Sequence, residues 1–453
     1  ALISPPPGHT LPHLRNAPSR DTRASLAGAL DPGLLMLKPH HRHYLSGFFL
    51  DFGVMAAYTA MPFFIFDRLG GSAQASGIIA GSQAIAYGVG CLLLTFTGFP
   101  LARLGLRAAA MGATVFAVCF CGAAFVRNTV LYGALTTVAV AGQALCWPVM
   151  HAWIGADPNP RRRSRRMSRF NLSWSLGFAF GPFLGGSLYD LDYRLPFAAA
   201  FLLCSVTVVI FLLAPDERRY FGATADAPDG GAQFRHDRAS ERHLYAAWAA
   251  NMVANALVLV TRSVYPKRVD DLVASGQLRF LFKEAPSTFL AADPATKFMW
   301  LAFVMSGANT LTFYLMGRTQ WWHHRFSFLA GVQMLAALGF LALGFTRSLL
   351  VMLLCCAAVG MAWGSCFFAA VFYSVSNPAL KHRRTAINEG AVGLGGFLGA
   401  LAFGHLAGQF SLLMPFRYTP LFVGVAILAQ IALLYVAALR LRAPANPSLE
   451  PGR

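Results

Sequence analysis

Twelve apolar stretches, each near the roughly 20 residues that cross a bilayer as a helix, constrain this chain more than any other feature. They run about 44–66, 74–97, 107–126, 129–154, 169–189 and 195–214, then 243–265, 298–317, 326–345, 348–374, 386–408 and 416–440. In hydrocarbon only helices and closed barrels satisfy every backbone group, and no stretch alternates like a barrel strand. An all-α membrane protein of twelve transmembrane helices is therefore expected. Composition agrees: 56% hydrophobic residues, 12% charged residues and a mean hydropathy of +0.52 exceed what a soluble core of 453 residues needs.

Orientation follows from the basic residues. An N-terminus on the cytoplasmic side puts most of the 37 Lys and Arg in cytoplasmic segments, including Arg161, Arg162, Arg163, Arg165, Arg166 and Arg169 between segments 4 and 5. The even number of segments returns the C-terminus to the same side. The net charge of +18 then reads as topology and attraction to anionic lipid, not as a nucleic-acid footprint. Heavy use of Ala, Arg and Gly fits a bacterial inner membrane.

All eight cysteines fall inside apolar segments, where they act as small hydrophobes, and neither a disulfide nor a metal site is expected. Residues 1–43 are polar and Pro-rich, without the apolar core of a signal peptide, and read as a disordered cytoplasmic tail. Their His40, His41 and His43 read as an interfacial basic patch. The first residue is Ala, which leaves room for residues upstream.

The chain also repeats itself. A shift of 218 positions aligns Gly142 with Gly360, Asn159-Pro160 with Asn377-Pro378, Arg165-Arg166 with Arg383-Arg384, Gly177 with Gly395 and Gly181 with Gly399. Two halves, 44–214 and 243–441, are expected as pseudo-symmetric six-helix bundles. A cytoplasmic linker at 215–242 would join them, and 442–453 would form a C-terminal tail.

With two matched sets of six, the chain resembles the major facilitator superfamily over about residues 44–441. Gly177-x3-Gly181-Pro182-x2-Gly185-Gly186 is similar to the helix 5 signature of that superfamily's proton-driven antiporters. "GFPLARLGLR" at 98–107 looks like its loop between helices 2 and 3: Arg103, Gly105 and Arg107 fit, while Ala102 stands where the pattern has aspartate. The helix 4 arginine of drug antiporters is absent near Ala139. The resemblance implies two bundles around a central cavity that opens alternately to each side, with the cavity lined by helices 1, 4, 7 and 10.

Gly177, Gly181 and Gly185 lie on one helical face and let a neighbouring backbone approach closely. Pro182 cannot donate to residue 178 and offers a point of bending, so this face is expected to serve packing and gating. Gly395 and Gly399 provide its counterpart in helix 11.

Carboxylates inside spans cost on the order of 3 kcal/mol each even on lenient scales. Two qualify, Asp51 in helix 1 and Glu389 near the cytoplasmic end of helix 11, and both are candidate proton carriers. Their structural alternatives are pairing with Arg103 for Asp51 and with Arg383 or Arg384 for Glu389. Trp147 with His151, and Asn251 with Asn255, sit one turn apart on their helices. Together with Tyr58 and Trp363 they are the candidate substrate-cavity residues. Arg262, near the outer end of helix 7, is expected to snorkel to the interface.

The loop at 266–297 mixes polar and apolar residues enough for a short surface helix that caps the outer mouth. Enzyme chemistry lacks its signatures: no HExxH or GxSxG occurs, and "GLGGFLG" at 393–399 sits inside a span. The expected function is secondary active transport of a small organic solute by a monomer without a cofactor. Proton-coupled export by antiport is the first expectation, uptake by symport the second, and a transport-inactive sensor or scaffold the third.

Overall fold

The computed structural model describes residues 39–97, 104–154, 160–213, 238–280, 294–376 and 380–442. Those residues form fourteen helices and no strand. They are α1 (Pro39–Asp67), α2 (Ala73–Phe96), α3 (Leu106–Ala123), α4 (Thr129–Gln143), α5 (Trp147–Ile154), α6 (Pro160–Leu191) and α7 (Leu195–Leu213), followed by α8 (Arg238–Ser263), α9 (Tyr265–Ala274), α10 (Pro294–Arg318), α11 (Phe326–Phe345), α12 (Leu349–Ser374), α13 (Lys381–Gln409) and α14 (Met414–Arg442). Eleven spans among them are long and apolar enough to cross a membrane. The twelfth expected span, α6, is long enough but falls outside that set, because its glycines, serines and Asn171 dilute its hydropathy.

Local chemistry sets several helix ends. Ser72 caps α2 by accepting from the Ala75 amide, and Asn128 caps α4 by accepting from Val130 and Leu131. Segment 4, expected as one helix, is broken. Pro148 has no N–H to offer Ala144, and the chain tightens into i→i+3 bonds at Ala144, Leu145 and Cys146 before α5 resumes. α1 starts at Pro39, ahead of the expected 44.

Packing follows a matched pattern. α1 lies against α6 and α7 as α8 lies against α13 and α14, and α3 meets α4 and α7 as α11 meets α12 and α14. The most extensive contacts between the first six spans and the last six are α2 with α13 and α6 with α10. The glycine contacts repeat too. A Cβ on Gly177 would strike the Phe48 carbonyl and one on Gly395 the Met252 carbonyl, while Gly181 and Gly399 stand against the carbonyls of Phe52 and Ala256. Those α1 and α8 residues are 204 positions apart, whereas α6 and α13 keep the 218 of the sequence repeat.

α1 is the most enclosed span, with 78% of its most apolar window buried, and α14 the least with 22%, which puts α1 at the centre and α14 against lipid. Between α11 and α14, Gln333 and Gln430 exchange two amide hydrogen bonds of 3.0 and 2.9 Å, both side chains buried. Gln333→Leu alone is expected to cost about 1 kcal/mol by stranding the Gln430 amide, and the double Leu variant to recover most of it. Thermal unfolding of both singles and the double checks this, and strictly additive losses would show that the two amides are uncoupled.

The loop after α8 opens with the short helix expected there, α9 (Tyr265–Ala274). α9 docks within the last six spans: Tyr265 packs edge-on to Phe416 with ring centroids 5.5 Å apart, Arg268 donates to the Gly344 carbonyl, and Arg279 pairs with the backbone beside Ser348. Toward the first six spans, Lys267 lies 5.9 Å from the Phe66 ring. Residues 281–293 of that loop lie outside the described residues.

Candidate functional site

A cavity of about 190 Å³ lies where α1, α2, α4, α5, α6, α8, α12 and α13 converge. Its walls are mainly aromatic and aliphatic, with a few polar groups set among them. The expected helices 1, 4, 7 and 10 all contribute, joined by helices 2, 5 and 11. Breaks in regular backbone cluster here. Pro62 and Pro182, inside α1 and α6, leave the carbonyls of Tyr58 and Phe178 without an in-helix donor, and both of those residues line the cavity. The α4–α5 break re-aims Trp147 and His151 toward the same space.

Glu389 stands in this wall at 4% exposure. The Tyr87 hydroxyl donates to its Oε2 at 2.8 Å, the Asn388 amide reaches Oε1 at 3.5 Å, and His151 Nδ1 lies 3.9 Å from Oε1. The arginines expected to pair with it do not. Arg384 bonds Glu241 at 2.6 Å, tying α13 to α8, and the Arg383 guanidinium sits 5.9 Å from the Phe96 ring. The network continues behind the wall: Asn255 donates to Asn251, and Asn251 donates to Asn388 at 3.0 Å. Asn255 reaches the cavity, but Asn251 is fully buried and serves as the bridge, not as a lining group. On the same helix Trp248 donates to Ser374 at 2.8 Å.

Asp51, Tyr58, Trp147, His151 and Trp363 line the cavity. Arg262 does so as well, which corrects the expectation that it snorkels outward. Its guanidinium lies 4.3 Å from the Phe178 ring centroid and 5.4 Å from that of Trp363. Asp51 and Tyr58 are near enough to interact with its charge. Its Nε and Nη2 are buried and make no hydrogen bond, and the same holds for Gln143 Nε2 and Trp363 Nε1. Asp51 is 5% exposed. Arg103, its expected alternative partner, lies outside the described residues.

The motif glycines have a definite neighbour. Gly177, Gly181 and Gly185 seat α6 on α1 through Phe48, Phe52 and Ala56, inside the first six spans. Gly186 and Pro182 are buried beside them. The seams between the two sets of six use other residues. On α2–α13, Gly77 faces Ala400 and Gly404, and Gly88 faces Gly393. On α6–α10, Phe183 packs on Trp300 and Phe303, and Thr310 donates to the Ser175 carbonyl at 3.0 Å. At the start of α3, Gly105 has a φ of +51°, a left-handed conformation suited to glycine, and Arg107 is exposed.

The family model of the Major Facilitator Superfamily matches residues 44–384. The chain belongs to the major facilitator superfamily. It is a multi-pass membrane transporter, not an enzyme. No curated protein matches its sequence. Among solved structures, the nucleoside transporter NupG is similar at a TM-score of 0.60 and 11% identity, covering 90% of this chain and 100% of its own. A POT family transporter in complex with a thioalcohol-conjugated peptide gives 0.64 and 12%, covering 88% and 96%. The human organic anion transporter MFSD10 (TETRAN) gives 0.57 and 15%, covering 88% and 100%. At such identities the likeness concerns the fold alone.

For this superfamily member, sequence reasoning passed over Gln83, Tyr87, Gln143, Trp174 and Phe178 in the wall, and misjudged Arg262. A signal for Arg262 existed. The 204-position relation between α1 and α8 puts Asn255 at the counterpart of Asp51, and Arg262 at the counterpart of Tyr58.

Proposed function

We propose that this transporter moves a small organic solute by alternating access and couples the movement to protons through Glu389. The observation that carries this reading is the meeting of Glu389 from α13 with Tyr87 from α2 and His151 from α5. A carboxylate so enclosed is tolerated in ionised form only while donors surround it. One of those donors, the Tyr87 hydroxyl, belongs to the first six spans and the acid to the last six. Any sliding of α13 against α2 therefore changes what the carboxyl touches, and with it the hold on its proton. His151, 3.9 Å away, is placed to exchange that proton.

The polar lining favours symport. Of the cavity groups without partners, those on Arg262, Trp363 and Gln143 are donors, while His151 Nδ1 donates or accepts according to its tautomer, and the three fixed donors suit a solute rich in acceptors. Negative charge arriving beside Glu389 and Asp51 favours their protonated forms, and by reciprocity protonation strengthens solute binding. Proton and solute then travel together. Export by antiport rested on the glycine motif, whose glycines seat α6 on α1, a role indifferent to the sense of coupling. The basic loops support cytoplasmic termini, and a cavity complete within one chain supports function as a monomer.

Proteoliposomes with a luminal pH dye test this against protein-free vesicles, over a panel of aromatic acids, amino acids, nucleosides and sugars. An inward proton gradient is expected to drive accumulation of at least one solute, with luminal acidification as it enters. Alkalinisation on entry would replace symport by antiport, and gradient-independent movement of every solute would remove coupling altogether.

A second expected result concerns Asp51, whose charge reaches Arg262. Asp51→Asn removes a competitor for the guanidinium. Solute binding at pH 8 is expected to tighten roughly tenfold, the size of a 1.4 kcal/mol charge interaction, with a flatter pH profile. Unchanged affinity and profile would exclude Asp51 from the coupling.

A further inference from the structure

We infer that the central cavity is a binding site for an aromatic monocarboxylate, held side-on by the Nε–H and Nη2–H of Arg262 and by the Nε1–H of Trp363. The inference rests on the transporter reading above and names its cargo class.

The guanidinium carbon lies over the Phe178 ring, 4.3 Å from its centroid, a cation–π contact that uses none of the guanidinium N–H groups. Nε and Nη2 are the two nitrogens of one edge, the fork that matches two carboxylate oxygens. Both are buried and lack a hydrogen bond. Trp363 brings a third unpartnered donor to the same place, its ring centroid 5.4 Å from the guanidinium carbon. Buried donors left without acceptors are costly, and a ligand that supplies the acceptors removes that cost.

The remaining walls define the body of the ligand. Trp174, Phe178 and Phe367 line the cavity, with Trp174 edge-on to Phe367 at 5.8 Å, so an aromatic ring finds aromatic edges and faces around it. About 190 Å³ is available. An apolar protein cavity of roughly 150 Å³ takes up benzene, so the space admits one ring with a short acid group. A second negative charge is disfavoured by Asp51 and Glu389 in the same walls. A cationic ligand would leave the three donors unsatisfied.

Calorimetric binding and thermal stabilisation of the purified full-length protein in detergent test this with benzoate, benzamide, benzylamine and acetate. Benzoate is expected to bind about tenfold or more tighter than each of the others. Arg262→Gln should weaken benzoate about 10- to 100-fold and neutral benzamide by much less, and Arg262→Lys should restore only part, since an ammonium lacks the side-on pair. Trp363→Phe, which keeps the ring and loses the N–H, should weaken benzoate about 2- to 10-fold. The proposal is overturned if benzylamine or acetate matches benzoate, if benzoate does not bind at millimolar concentration, or if Arg262→Gln binds it like the wild type. The wild-type ligand series needs no variant to fold. Detergent binding also needs no gradient, so its failure leaves proton coupling standing, and loss of gradient-driven flux with binding intact overturns coupling alone.

Discussion

Gly395→Ala is expected to destabilise the protein by about 1–3 kcal/mol, the usual cost of forcing volume into a packed contact, and Gly395→Leu to abolish recovery of folded protein. The added Cβ meets the Met252 carbonyl, which belongs to the backbone of α8 and cannot swing aside. α8 and α13 would have to separate, and their separation would break the Asn251–Asn388 bond that sits in the same interface. Gly177→Ala, against the Phe48 carbonyl in the matching contact of the first six spans, should cost a similar amount. Gly331 and Gly424 provide the control, since a Cβ there meets nothing within 4 Å. Alanine at those positions should raise stability by about 0.4–1 kcal/mol by stiffening the unfolded chain. Melting temperatures and monodispersity in detergent read all five variants. Equal behaviour of Gly395→Ala and Gly331→Ala would refute the close-contact argument.

Glu389→Gln is expected to uncouple transport with little effect on folding. The amide keeps the size of the carboxyl and can still accept from Tyr87, but it carries no exchangeable proton of the required kind. With one proton per solute, an inward gradient of 2 pH units drives accumulation to a ceiling of roughly 100-fold in the wild type. The variant should stop near onefold while still exchanging labelled for unlabelled solute across the vesicle. His151→Gln should slow gradient-driven flux without erasing its dependence on the gradient, because it removes the exchange partner and leaves the carrier. Wild-type accumulation by Glu389→Gln would transfer the coupling role away from this carboxyl.

Much of the architecture was legible in the chain because lipid simplifies the code: each span must be a helix near a fixed length, and loop charge follows topology. The 218-position repeat anticipated the matching contacts of α6 and α13. Helix 4 was less legible, since an apolar run conceals a break, although Pro148 marks where one forms. Asp51 and Glu389 stood out as acids in apolar surroundings and both line the cavity. Their partners were invisible. Glu389 lies close in sequence to Arg383 and Arg384, yet α13 turns those arginines toward Glu241 and Phe96 and presents Glu389 to Tyr87, some 300 residues away.

The sequence by itself determined that this chain crosses a membrane as helices, that its halves are related, and which glycines let helices touch, because these depend on composition and periodicity. Only the tertiary structure decided that Arg262 points into the centre, that Asn251 bridges behind the wall, and that the motif glycines bind α6 to α1 within the first six spans. Those outcomes depend on how each helix is rotated about its axis. Rotation is set by the summed packing of several neighbours distant in sequence, and no local pattern along the chain encodes it.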